Sequence, residues 1–160
     1  MVGTTLAMEP TQTIKPKDVL SYLGRDYIVD GVLTYKAAGK TTRLARAVDA
    51  EVVVWIEPLT DDMDDRLLVL SEVQDLPVGT PPPPSISYRN NTFLPRQSGL
   101  ATVEVAGKVP GRAAGSFDVW RYRAAGDLYL HIEATPGGGR VVLFGESVHK
   151  GMIDLLPGGA

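Results

Sequence analysis

Few side chains in this 160-residue chain have the types and spacing that chemistry requires. Cysteine is absent and histidine occurs only as His131 and His149, so thiolate nucleophiles, Cys-ligated zinc and a three-histidine metal site are excluded by composition. The sequence holds no GxSxG, HExxH or GxxxxGK[ST] pattern, which are signatures of serine hydrolases, zinc proteases and phosphate-binding loops. We therefore expect no catalytic residue, no metal site and no cofactor, and we expect the protein not to be an enzyme.

Two loops have compositions that resemble ion-binding segments. The loop TDDMDDR contains Asp61, Asp62, Asp64 and Asp65, but it lacks the turn glycine and the final bidentate glutamate of an EF-hand loop. We expect it to be a solvated hairpin tip, as charge runs usually are. The glycine-rich loop TPGGGR joins two predicted strands instead of opening a helix, so we do not expect it to hold a phosphate.

Glu57 and Glu133 end the similar phrases WIE and HIE. Two carboxylates brought together by a twofold arrangement could act as an acid and base pair. No other catalytic group accompanies them, so we expect both to be solvated at strand ends. His131 takes the place of Trp55, which favours a packing or surface position, and His149 lies in a polar segment that we expect to face solvent.

The strand DVWRYRA offers the most suggestive surface. A period of two predicts that one face carries Phe117, Val119, Arg121 and Arg123. It predicts that the other face carries Asp118, Trp120 and Tyr122, with Tyr129 or His131 across the ladder. If this second face is open, its aromatic rings rimmed by arginine suit a protein partner. The candidate partner-binding residues are Trp120, Arg121, Tyr122, Arg123 and His131.

Two alternatives to this partner surface remain open. Exposed aromatic rings beside arginine also stack on single-stranded bases. A sheet that is covered on both faces would instead bury Trp120 and Tyr122 as core. The charge balance disfavours general nucleic-acid binding, because a formal net charge of -3 and a pI near 5.3 leave no basic stripe to displace counterions from phosphates.

The elements that position these side chains are predicted to be strands. Apolar and polar residues alternate between turn signals, and β-branched and aromatic residues are frequent. Ile56 and Ile132 are expected to be buried at equivalent places. The segment TTRLARAVDA is weakly helical in period, but its place between two strands favours another strand. The tail SVHKGMIDLLPG is expected to hold one short helical turn.

Two phrases recur in the same order along the chain. SYLGRDYIVDG is followed later by SYRNNTFLPRQSG, and WIEPLTDDMDDRLLVLSEV is followed by HIEATPGGGRVVLFGESV. Both offsets approach half the chain, which indicates internal duplication. We predict an all-β protein of two similar small units, each a bent sheet or small barrel, packed as one compact body. The predicted divisions are a flexible segment 1–16, a first unit 17–76, a Pro-rich linker 77–85 and a second unit 86–157.

No run of apolar residues approaches the roughly 20 residues that cross a bilayer, and no signal-peptide core is present. We expect no membrane insertion and a cytoplasmic protein.

The phrases DVLSYLGRDYIVDGVLTY, VVWIE, GSFDVWRYRAAGDLYLHIEA and GESV…IDLLPG together resemble the bacterial family catalogued as domain of unknown function 4178. The likeness runs from Lys17 to Pro157. It implies a gene neighbourhood of phage-shock-type membrane-stress scaffolds and polyamine-synthesis enzymes, which is association and not mechanism. The expected function is a non-enzymatic binding or scaffolding role with a protein partner, linked to envelope stress. The alternative is a β-barrel module that binds a small molecule, polyamine or anion.

Overall fold

The computed structural model describes residues 6–7, 14–58, 65–79, 81–135 and 139–158. These residues form β1 (Leu6–Ala7), β2 (Val19–Tyr22), β3 (Arg25–Ala37), β4 (Lys40–Asp49), β5 (Val52–Pro58), β6 (Arg66–Glu72), β7 (Ile86–Tyr88), β8 (Asn91–Gly107), β9 (Gly115–Ala124), β10 (Leu128–Ala134), β11 (Arg140–His149), the 3-10 turn η1 (Lys150–Met152) and β12 (Ile153–Leu156). The all-β prediction is confirmed. The segment TTRLARAVDA lies in β4, and η1 is the short helical turn predicted in the tail.

Eight antiparallel strands close into a barrel. Their order is β3-β4-β5-β6-β11-β10-β9-β8, and the pairing of β8 with β3 closes the ring. Outside the ring, β2, β12 and β1 continue the sheet from β3, and β7 continues it from β8. An eight-stranded barrel has an interior just wide enough to be filled by side chains or to hold one small ligand.

The repeated phrase forms the same kind of hairpin in both places. Between β2 and β3 the turn residues Leu23 and Gly24 have φ values of 51° and 77°. Between β7 and β8 the turn residues Arg89 and Asn90 have φ values of 48° and 64°. Two successive residues with positive φ make the type I′ turn that suits the twist of a tight hairpin.

Apolar side chains pack into three clusters, one inside the barrel and two outside it. The interior cluster includes Leu33, Leu44, Trp55, Leu70, Val103, Val119 and Leu143. One outer cluster lies under β2 and β12 and includes Leu20, Val29, Ile56 and Ile153. The other lies under β7 and includes Ile86, Phe93, Tyr122 and Ile132. Both faces of several barrel strands are therefore covered.

Ile56 and Ile132 are 1% and 0% exposed, so the prediction that both are buried is confirmed. They belong to the two different outer clusters. On β10 every residue from Tyr129 to Glu133 is buried, because the barrel interior covers one face and the outer cluster covers the other.

The prediction of two packed units needs correction. Each half of the chain contributes four strands to one barrel, and the interior cluster draws on both halves. The strand sequence β2 to β6 has the same meander order as β7 to β11; duplication itself stays a prediction, as do the predicted divisions of the chain. Within the segment predicted to be flexible, Ile14 is buried in an outer cluster. No helix among the described residues is long and apolar enough to cross a membrane.

Candidate functional site

Charged side chains pair inside the barrel. Arg121 on β9 faces Glu57 on β5, and their side chains are 7% and 5% exposed. Arg121 Nη1 donates to Glu57 Oε2 at 3.0 Å, and Nη2 donates to Oε1. A forked guanidinium matches a carboxylate in this way, and the fit offsets part of the cost of removing both charges from water.

A second group of polar side chains surrounds Glu133 on β10. The Tyr35 hydroxyl donates to Glu133 Oε1 at 2.7 Å, and His131 Nε2 lies 3.3 Å from the same oxygen. Arg112, in the loop between β8 and β9, donates through Nη2 to Glu133 Oε2. The Glu133 carboxylate is fully buried and has three partners: His131 on its own strand, Tyr35 on β3 and Arg112 in the loop.

The surroundings set the charges of this group. Burial by itself raises the pKa of Glu133, but hydrogen bonds from His131 and Tyr35 together with the charge of Arg112 outweigh it and hold that pKa below its ordinary value. Burial lowers the pKa of His131, and its hydrogen bond to Glu133 only partly opposes this. Burial and the neighbouring Glu133 charge raise the pKa of Tyr35. Near pH 7, Glu133 is therefore ionised, and His131 and Tyr35 are neutral.

Two buried nitrogens in this region have no hydrogen-bond partner among the described residues. They are Arg121 Nε and His131 Nδ1. Because the Glu133 carboxylate only accepts, the single proton of neutral His131 lies on Nε2, and Nδ1 keeps a free lone pair. Buried polar atoms without partners are rare and costly in folded proteins. Arg121 and His131 are direct neighbours across the β9–β10 ladder.

Both side chains line a cavity of about 280 Å³, which we call the hairpin cavity. It lies between the turn that joins β3 to β4 and the stretch of β8 from Gln97 to Ala101. The opening exists because β8 pairs with β3 only from Thr102 to Gly107 and with β7 only from Asn91 to Phe93. The lining is mostly apolar or uncharged. Its cationic side chains are Lys40 and Arg121, and its described lining contains no aspartate or glutamate.

A larger cavity of about 910 Å³ lies beside the loop that carries Arg112. Its two arginines are paired, Arg112 with Glu133 and Arg46 with Asp30, and neither has a buried nitrogen that lacks a hydrogen-bond partner among the described residues, whereas the hairpin cavity has two such nitrogens. The hairpin cavity is therefore the better candidate for a binding site, despite its smaller volume.

The predicted partner-binding residues do not form one exposed patch. Trp120 is half-buried and Tyr122 is 2% exposed, because both lie in the outer cluster under β7, where the Tyr122 hydroxyl donates to the Pro83 carbonyl at 2.8 Å. Arg121 and His131 are buried inside the barrel, and Arg123 is exposed. The expected cross-strand neighbours are also wrong.

Trp120 lies opposite Ile132, and Tyr122 lies opposite Leu130. The face that carries Trp120 is thus the same one that buries Ile132. The alternative stated from the sequence, a sheet that is covered on both faces and packs Trp120 and Tyr122 into a core, is therefore the correct one.

Glu57 and Glu133 are not solvated strand ends, since they are 4% and 0% exposed. Period two placed Glu57 beside Trp55 and Glu133 beside His131 on one face, and that face proved to be the barrel interior. The sequence did not indicate the roles of Tyr35 and Arg112. His149 is exposed, as predicted. Asp61, Asp62 and Asp64 lie outside the described residues, and the parts of the chain that are described hold no cluster of His, Asp and Glu suited to a metal ion.

Comparison with known proteins gives one match. Residues 15–150 match the model of a family described as a domain of unknown function (DUF4178). No curated protein and no solved structure matches the chain.

Proposed function

The chain belongs to the DUF4178 family, and we propose for it a function that rests on the site itself: a non-enzymatic module that binds a small molecule in the hairpin cavity. The observation that carries this proposal is the pair of partnerless nitrogens, Arg121 Nε and His131 Nδ1, on two side chains that line the cavity. A ligand that hydrogen-bonds both nitrogens would remove a cost that the free protein bears.

The surroundings of the two nitrogens support a binding role. Ligand pockets in proteins are usually apolar clefts with a few placed polar groups, and β-barrels hold ligands at their mouths. In the hairpin cavity, apolar lining from Ala101, Val119 and Leu100 accompanies the polar pair. The Glu57 carboxylate fixes Arg121, and the Glu133 carboxylate fixes the ring of His131. The two carboxylates thus hold both side chains at the cavity wall before a ligand enters.

The other functions suggested by the sequence have less support. A polyamine would need carboxylates, and the described lining of the hairpin cavity has none, while Glu57 and Glu133 are already paired. A protein partner and a link to envelope stress stay predictions from the sequence, because three of the five residues expected to bind the partner are buried.

A screen of small molecules by thermal shift tests the proposal. The set contains neutral, anionic and cationic compounds small enough for a cavity of about 280 Å³. A ligand that binds only the native state raises the melting temperature, and the rise grows with the logarithm of the ligand concentration once that concentration exceeds the Kd. Ala37 lines the hairpin cavity, and an Ala37→Leu variant fills part of it. The matched control is Ala114→Leu, at an exposed residue that lines the larger cavity.

We expect at least one compound to raise the melting temperature of the wild type and of the Ala114→Leu control but not that of Ala37→Leu. A screen without any such compound, or one whose compounds stabilise all three proteins equally, would contradict binding in the hairpin cavity.

A further inference from the structure

We infer that the ligand of the hairpin cavity is a small carboxylate whose head group lies between Arg121 and His131; this inference rests on the function proposed above. The N–H group of Arg121 Nε needs an acceptor, and a carboxylate oxygen supplies one. The cationic side chains of the described lining are Lys40 and Arg121, and the same lining holds no acid. The nearby carboxylates of Glu57 and Glu133 are each paired with an arginine. The apolar part of the lining, which includes Leu100, Ala101 and Val119, suits a short hydrocarbon tail.

The charges inside the barrel decide what must accompany such a ligand. Glu57 balances Arg121, and Glu133 balances Arg112, so the network is neutral while His131 is neutral. A carboxylate would add one negative charge that no buried group balances, since Lys40, the other cation of the described lining, is exposed. Such a charge is costly in a buried place. Protonation of His131 at Nδ1 would restore neutrality and turn the free lone pair into a donor towards the ligand.

The charged and titratable groups around His131 lie on four strands of the barrel. They are Glu133 on its own strand, Arg121 on β9, Tyr35 on β3 and Glu57 on β5. On β11 its partner is Leu143, which is apolar. In the free protein the net effect is a lowered pKa for His131, chiefly through burial. A bound carboxylate would raise that pKa again, because an opposite charge favours the protonated ring.

Both partnerless nitrogens are covered in the free protein. The head group therefore reaches them only if the two side chains turn towards the cavity on binding.

The test compares three six-carbon probes by titration calorimetry on the full chain: hexanoate, 1-hexanol and hexylamine. Between pH 6 and pH 8 the charges of hexanoate and hexylamine stay constant, because their pKa values lie well outside this range. Repeating the hexanoate titration in two buffers of different ionisation enthalpy measures the protons taken up. We expect hexanoate to bind most tightly of the three probes, and we expect the protein to take up one proton when hexanoate binds. The affinity for hexanoate should fall about tenfold for each rise of one pH unit over the range where His131 is neutral in the free protein and protonated in the complex.

Two variants test the head-group contacts. Arg121→Lys keeps a cation beside Glu57 but removes the Nε donor, and we expect it to lower hexanoate affinity at least tenfold. Arg123→Lys, on the same strand but exposed, is the matched control and should leave the affinity unchanged. His131→Phe should abolish the proton uptake. If either variant does not fold, the wild-type titrations still decide the matter.

The outcomes separate this inference from the proposed function. If 1-hexanol or hexylamine binds as tightly as hexanoate, the inference that the ligand is a carboxylate is wrong. The proposal that the cavity binds a small molecule would still stand. Hexanoate binding without pH dependence would overturn the role of His131 and, with it, the inference. Absence of any binding by the three probes, together with a failed thermal-shift screen, would overturn both.

Discussion

Arg121 and Glu57, 64 residues apart in the sequence, form a two-pronged ion pair inside the barrel. The pair joins β9 to β5, two strands that are not neighbours in the sheet. The second polar group, around Glu133, joins β10 to β3 and to the loop that carries Arg112. Tyr35 and Glu133 are separated by 98 residues in the sequence. The interior of the barrel is therefore held by charge pairing across its width as well as by apolar packing.

Removal of one charge from the pair should be strongly destabilising. In Arg121→Leu the carboxylate of Glu57 stays buried without its partner, and we expect a loss of about 3 to 5 kcal/mol in the free energy of unfolding. In the double variant Arg121→Leu/Glu57→Leu neither charge remains, so we expect a smaller loss than in the single variant. Urea denaturation measures both values.

The exposed ion pair on the same strand provides the control. Arg123 Nη2 lies 2.8 Å from Asp127 Oδ1, and both side chains are 40% or more exposed. Arg123→Leu should therefore change the stability by no more than about 1 kcal/mol. A loss in Arg121→Leu as small as that of the control would show that the interior pair is unimportant for stability.

Stability should decrease as the pH falls, in two separate ranges. Burial lowers the pKa of His131 below its ordinary value of 6.5, so the unfolded chain binds a proton more readily than the folded one. The contribution of neutral His131 is present above pH 6.5 and is lost as the pH falls towards the folded value. Glu133, with its pKa held below 4.5 by its partners, acts in the same direction at lower pH. The midpoints of urea denaturation between pH 8 and pH 5 measure the loss of stability that His131 causes.

Substitution of each histidine in turn shows whether His131 or His149 causes the loss of stability between pH 7 and pH 5. His131→Phe should flatten the decline between pH 7 and pH 5. His149 is exposed and is the other histidine of the chain, so His149→Phe should leave the decline as in the wild type. An unchanged decline in His131→Phe would assign it to another group.

Ile56 and Ile132 should be about equally important for stability, although they lie in different outer clusters. Truncation of either to alanine removes buried methyl groups and leaves a cavity, which costs about 2 to 5 kcal/mol. Ile28 is 58% exposed and is the matched control, for which we expect little change. Thermal and urea denaturation of the three alanine variants provide the measurement. Equal stability of Ile132→Ala and Ile28→Ala would mean that the cluster under β7 contributes little.

Gly145 on β11 should not tolerate a side chain. A Cβ atom at this position would collide with the carbonyl oxygen of Val69 and lie 2.8 Å from the Cα of Leu70, both on the backbone of β6. Backbone atoms of a central strand cannot move aside cheaply, so Gly145→Ala should cost about 1 to 3 kcal/mol by overpacking. At Gly79 the nearest atom to a new Cβ would be 3.8 Å away. Gly79→Ala should therefore melt within a degree or two of the wild type, and a similar result for Gly145→Ala would refute the close approach.

The local pattern of the sequence was enough to predict the strands. Alternation of apolar and polar residues indicated an all-β chain and the burial of Ile56 and Ile132, because period two reports which residues share a face. The repeated SY phrase forms a type I′ turn at both of its occurrences, at Leu23–Gly24 and at Arg89–Asn90. These features depend on residues that are near one another in the chain.

Only the tertiary structure decided which faces are covered. Closure of the barrel turned the face of Glu57, Arg121 and Glu133 inwards, while β7 and the proline-rich segment covered the face of Trp120 and Tyr122. The sequence pattern of a single strand is the same whether its face contacts water, another layer of sheet or the interior of a barrel. Charged residues are usually exposed, so the sequence favoured solvent for both glutamates. Their burial depends on partners such as Arg121 and Tyr35 that lie 64 and 98 residues away and meet them only when β8 pairs with β3 and the barrel closes.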